Sequence, residues 1–286
     1  MSYLDTLVSV ADLNERLGQP ELCIVDCRHA LLDPDAGRAA YDAGHLPGAV
    51  FADMDRDLAG PVQAATGRHP LPAVADFIET LQRLGISNTS QVVVYDDAGG
   101  GLAARLWWML KWLGHDQVAL LDGGFAAWQR ADLPISTDPV EPERGSFTGQ
   151  AGARVTVSTD EVSRLVVAAD ELLLVDARDP SRFCGEQEPI DPVAGHVPGA
   201  VNLPFSAFLN ADGTWKPAEE VTGIWRDRLA DVPPEKPLAV MCGSGVTACH
   251  LALSAAVAGI RSPALYVGSW SEWIRDSGRP VAADSG

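Results

Sequence analysis

Basic residues are scarce in this chain: 21 Lys and Arg stand against 39 Asp and Glu in 286 residues, a formal net charge of −18. Nucleic acid is therefore not expected as a partner, because phosphate binding needs clustered cations. An anionic substrate would have to be held by a local cationic pocket. No apolar run reaches the roughly 18 residues of a membrane span, so no membrane partner is expected. Met1–Asp5 lacks the basic and apolar regions of a signal peptide, and the expected location is cytoplasmic. Cysteine is sparse as well. Five residues (Cys23, Cys27, Cys184, Cys242 and Cys249) form an odd set without CxxC spacing, which argues against a disulfide framework or a zinc site. Reduced thiols are expected, and neither a metal nor an organic cofactor is implied.

What the sequence does contain is itself, twice. Leu22–Arg28 (LCIVDCR) matches Leu172–Arg178 (LLLVDAR), and Gly44–Val50 (GHLPGAV) matches Gly195–Val201 (GHVPGAV). The apolar stretch 91–96 answers 237–242, and Leu120–Trp128 (LLDGGFAAW) answers Leu265–Trp273 (LYVGSWSEW), in the same order. Short apolar runs alternate with helical patterns at 73–84, 101–113 and 247–258. This is the signature of an α/β fold with a parallel sheet flanked by helices in each copy. The Pro-, Gly- and Ser-rich stretch 139–152 reads as a surface linker between domains at 1–138 and 153–286. Asp26 with Arg28 and Asp176 with Arg178 occur in both copies and read as scaffold pairs. Trp107, Trp108 and Trp112 at helical spacing read as core.

The chemistry concentrates in Cys242-Gly-Ser-Gly-Val-Thr-Ala248, between an apolar strand and a helix. The carboxyl end of a parallel strand is where such folds bind ligands. Glycines at 243 and 245 would free the backbone to turn its N–H groups around the sulfur. Those amides and the start of the helix favour a thiolate, making Cys242 the candidate nucleophile. In the first copy Asp96 stands at this place, followed by glycines, so that copy is expected to be catalytically silent. A cysteine phosphatase would need an arginine closing the loop at Cys-x5-Arg. That position is Ala248, which counts against a phosphatase or arsenate reductase.

The tandem repeat, the GHxPGAV segments and CGSGVTA together resemble the two-domain rhodanese family of sulfurtransferases over nearly the whole chain. The loop is closer to the 3-mercaptopyruvate branch (CG[SG]GVTA) than to the thiosulfate branch (CRKGVT), whose cations are replaced here by Gly243 and Ser244. The resemblance implies two tandem rhodanese-like domains, the second catalytic, and a double displacement. Cys242 would take sulfur from a small anionic donor, 3-mercaptopyruvate or alternatively thiosulfate. It would pass that sulfur as a persulfide to cyanide, thioredoxin or another thiol. Gly243, Gly245, Val246 and Thr247 would line the substrate cradle, and Arg182 would hold the donor's anionic group. Ser244 and His45, with Asp33 or Asp35, would match a serine–histidine–aspartate proton relay, although the recurrence of His45 as His196 also fits a structural turn. The mercaptopyruvate branch carries a second arginine a few residues after the Arg182 position. Here that stretch, Gly185–Asp191, is two residues shorter and has none. Arg68 and His69 read as a solvated loop that could cover the site, and Cys184 as a bystander thiol. A rival class is a persulfide carrier without a small-molecule donor of its own.

Overall fold

A computed structural model describes residues 4–168 and 171–283; Met1–Tyr3, part of the stretch read for targeting signals, lie outside them. The chain forms two compact units. The first comprises residues 1–60, 72–153 and 209–215, and the second 61–71, 154–208 and 216–286.

Each unit is built on one five-stranded sheet. The first contains β1 (Leu7–Val8), β2 (Leu22–Asp26), β3 (Val50–Phe51), β4 (Gln91–Tyr95) and β5 (Val118–Leu121), in spatial order β1-β5-β4-β2-β3. The second contains β6 (Thr156–Val157), β7 (Leu173–Asp176), β8 (Val201–Asn202), β9 (Leu238–Met241) and β10 (Ala264–Tyr266), in order β6-β10-β9-β7-β8. Every pairing is parallel. Strands β4, β5, β7 and β9 are buried along their whole length, which explains their unbroken apolar character: both faces of a parallel sheet are covered. The helical patterns appear as Val74–Arg83, Ala104–Trp112 and Ala248–Val257, one to three residues shorter at each end than the periodicity suggests. Trp107, Trp108 and Trp112 are buried as expected.

The repeated Asp-x-Arg motif works identically in both units. Arg28 Nη2 donates to Asp26 Oδ2 at 2.6 Å and to the Gly44 carbonyl at 2.7 Å. Arg178 Nη2 donates to Asp176 Oδ2 at 2.7 Å and to the Gly195 carbonyl at 2.8 Å. The arginine thus ties the end of the strand to the GHxPGAV turn. The next histidine completes the knot: His45 Nδ1 lies 2.9 Å from the Tyr41 carbonyl and His196 Nδ1 2.8 Å from that of Phe183. Each imidazole also stacks on the ring of that same residue.

Stretch 139–152 forms neither helix nor strand, and it is fastened to the first unit rather than hanging free. Gly145 N donates to the Gln82 carbonyl at 2.8 Å and Thr148 N to Asn88 Oδ1 at 2.8 Å, while Phe147 is fully buried. Its polar composition supplies the exposed positions, and one aromatic anchors it. Residues 61–71 are held in the second unit: Arg68 N donates to Ser271 Oγ at 3.0 Å and Gly67 N to Glu272 Oε2 at 3.3 Å.

Because Asp26 and Arg28 are both buried, Asp26→Ala strands a guanidinium away from water. The expected cost is about 3–5 kcal/mol, read as a lowered urea midpoint for the first unit. A loss near the ~0–1 kcal/mol of an exposed pair would contradict the scaffold role.

Candidate active site

Strand β9 ends at Met241, and Cys242 follows it, 2 % exposed, at the carboxyl edge of the sheet. The loop then turns back over the thiol. Gly245 adopts φ +79°, and its N–H donates to Cys242 Sγ at 3.1 Å. A Cβ on Gly245 would lie 2.5 Å from the Val267 carbonyl oxygen, so the turn needs glycine for both its angle and its space. Gly243 differs from the sequence expectation. Its φ is not positive; its missing side chain instead leaves room for cations, since a Cβ there would sit 3.0 Å from Arg68 Nη2 and 3.6 Å from Arg182 Nη2.

The second half of the repeat motif braces the loop. Trp270 N donates to the Cys242 carbonyl at 3.0 Å and Ser271 N to the Gly243 carbonyl at 2.8 Å. Ser269 Oγ accepts from Cys242 N at 3.1 Å, with Ser269 held at φ 52°, a strained angle for a non-glycine residue. Val246 is buried and Thr247 half-buried where the helix Ala248–Val257 begins; their carbonyls accept from Cys249 N and His250 N.

The equivalent loop of the first unit shows what this backbone is built to hold. Phe125 N donates to the Asp96 carbonyl at 2.9 Å, as Trp270 does to Cys242. The Asp96 carboxylate accepts four backbone N–H groups, from Ala98, Gly100, Leu102 and Ala103, at 2.7–2.8 Å. That loop is a cradle of amides filled by its own aspartate, which burial raises against the lowering pull of those four N–H groups.

Charged groups surround the Cys242 loop. Glu188 takes the Nε–Nη2 edge of Arg182, at 3.1 and 2.7 Å to Oε1. Burial pushes Glu188 up, but its hydrogen bonds from Arg182 and nearby amides outweigh this and hold it below the ordinary carboxylate range. Asp191 pairs with Arg68, and its Oδ2 lies 3.3 Å from Arg182 Nη2. Burial raises Asp191 despite the opposing pull of Arg68. Arg178 is raised: burial lowers it, but Asp176, Glu188 and Cys242 together overcome that.

Of the residues singled out in the sequence, Cys242, Gly243, Ser244, Gly245, Val246, Thr247 and Arg182 fall in this one region of the second unit. His45 lies in the first unit, with Nδ1 2.9 Å from the Tyr41 carbonyl and its ring stacked on Tyr41. The imidazole beside Ser244 is that of His69, with Nδ1 2.7 Å from Oγ and both residues buried. His69 is therefore not the solvated loop residue expected. A usable signal was asymmetry: His45 recurs in the second copy as scaffold does, whereas His69 lies outside the four matched segments. Arg68, read in the sequence as a loop residue that could cover the site, falls in the same region, as do Glu188 and Asp191.

The rhodanese-like domain family model matches residues 9–131 and 158–276. The chain belongs to the rhodanese family. A probable 3-mercaptopyruvate sulfurtransferase of Pseudomonas aeruginosa is 46% identical to this rhodanese-family chain, over 96% of it and 97% of the relative. A putative thiosulfate sulfurtransferase of Mycobacterium tuberculosis is 40% identical over 96% of both chains. The crystal structure of a 3-mercaptopyruvate sulfotransferase from Escherichia coli superposes with a TM-score of 0.81 at 33% identity, covering 94% of this chain and all of that one. Among the described residues, no helix is long and apolar enough to cross a membrane.

Gly245→Ala should break the Sγ hydrogen bond without touching the thiol. Alkylation of Cys242 near neutral pH is expected to slow about tenfold, the worth of one charge-assisted hydrogen bond. Cys23, pushed up to about 12 by burial, should stay unlabelled and serve as internal reference. An unchanged Cys242 rate would contradict the cradle.

Proposed function

We propose that the protein is a 3-mercaptopyruvate sulfurtransferase working through a Cys242 persulfide. The observation that carries this is a buried cysteine sulfur receiving a backbone N–H, in a loop that also holds a Ser244–His69 pair and faces an arginine. The Cys242 thiolate attacks the donor's sulfur. A Cys242 S–S bond forms as the donor's C–S bond breaks, and the bonding pair leaves on the enolate of pyruvate. Ser244, with His69 behind it, is suited to deliver the proton that turns the enolate into pyruvate. An acceptor thiolate or cyanide then attacks the outer sulfur, and Cys242 returns as thiolate. Loop amides stabilise the charge throughout.

Thiosulfate is the second donor to weigh, because relatives near 40–46% identity carry both names. A dianion with no proton to receive makes less use of Ser244–His69 than an enolate does. The first unit takes no part in sulfur transfer on this reading, since its cradle holds a carboxylate rather than a thiol. A cytoplasmic location fits the reduced cysteines, and thioredoxin or another small thiol fits the acceptor step.

Initial rates of pyruvate release from 3-mercaptopyruvate should exceed those of sulfite release from thiosulfate; the reverse order would overturn the choice of donor. His69→Gln should lower kcat with 3-mercaptopyruvate by about 10²-fold or more, while His45→Gln in folded protein should change it by less than about tenfold. If His45→Gln proves the more damaging to kcat, the relay belongs to His45 after all.

A further inference from the structure

We propose that Arg68 is a second anchoring residue for the donor's carboxylate, acting with Arg182 across Gly243. A guanidinium has two edges able to hold a carboxylate. Glu188 already occupies the Nε–Nη2 edge of Arg182 and Asp191 Oδ2 lies 3.3 Å from Nη2, which leaves Nη1. Nη1 lies 3.8 Å from where a Cβ on Gly243 would stand. One nitrogen is a thin grip for an anion in a protein of net charge −18.

Arg68 supplies the second grip. Its Nη1 is turned to Asp191, and its Nη2 reaches to 3.0 Å from the same Gly243 position. The two arginines are thus coupled through Asp191, whose Oδ1 pairs with Arg68 and whose Oδ2 lies 3.3 Å from Arg182. Each cation has an acid behind it and a guanidinium nitrogen left over the cradle loop. The backbone of Arg68 is also fixed, because its N–H bonds Ser271 Oγ while Ser271 N bonds the Gly243 carbonyl. A cavity of about 380 Å³ lies against Arg68, lined also by Asp191, Ile190, Ser271 and a further cation, Arg275.

This assignment rests on the mercaptopyruvate reading and adds a residue to it. The stretch after Arg182 holds no other arginine: Gly185–Asp191 reads GEQEPID. Arg68 comes instead from a segment distant in sequence that folds into the second unit.

Two donors separate an anchoring role from a merely structural one: 3-mercaptopyruvate, and its methyl ester, which keeps the sulfur and carbonyl but lacks the carboxylate. Arg68→Gln should raise KM for the acid about tenfold with little change in kcat, the size of one lost charge-assisted hydrogen bond. KM for the ester should change by less than about twofold. Arg68→Lys, which keeps the charge, should recover most of the loss on the acid. Equal losses on acid and ester, or a fall in kcat alone, would overturn the anchoring role and make Arg68 a support for the neighbouring His69. Absence of pyruvate release by the unaltered protein would overturn the parent reading, and Arg68's role with it.

Discussion

Everything in the second unit that bears on chemistry depends on one interaction, the turning of backbone N–H groups toward an anion at the carboxyl end of a parallel strand. The first unit shows it in saturated form, with four amides on the Asp96 carboxylate. In the second unit a sulfur takes that place, with Gly245 N on Sγ. A carboxylate in such a cradle is inert, whereas a thiolate is a nucleophile whose charge is stabilised without being fully quenched. The proposed division into a silent first copy and a reacting second rests on this exchange of one side chain at one repeat position.

The cradle keeps its shape because the repeated scaffold holds it from outside. In each unit an aspartate–arginine pair joins the strand end to the GHxPGAV turn, and the turn after the last long strand donates to the carbonyl of the cradle's first residue. These groups are buried and mutually satisfied, so they set geometry and take no part in bond making. Around the Cys242 loop stand Ser244 with His69, and Arg68 with Arg182. With Glu188 and Asp191 backing the arginines, cations stand over Gly243 inside a strongly acidic protein.

Much of this was legible in the sequence. The four matched segments fixed the parallel architecture and the roles of Asp26, Arg28, Asp176 and Arg178, because scaffold residues must recur when a fold is repeated. The place of Cys242 at the end of a buried strand was legible from its setting between an apolar run and two glycines. The short edge strands β1 and β6 were not, since two-residue strands carry no periodicity. The recurrence of His45 as His196 already suited a structural turn, and both histidines make the same contact there. Arg68 and His69 escaped because a loop's polarity says nothing of where it packs: Ser271 and Glu272, some two hundred residues away, hold it in place. Gly243, like Gly245, was expected for its backbone angles, yet its φ is not positive and two arginines approach it, a distinction that requires knowing which side chains come near.

The most direct measurement of the central claim is intact-peptide mass analysis after brief incubation with 3-mercaptopyruvate and no acceptor. The Cys242 peptide should gain the mass of one sulfur atom, removable by cyanide, with pyruvate formed in equal amount. Pyruvate release with no sulfur on that peptide, or sulfur residing on Cys184 or Cys249 instead, would contradict Cys242 as the carrier.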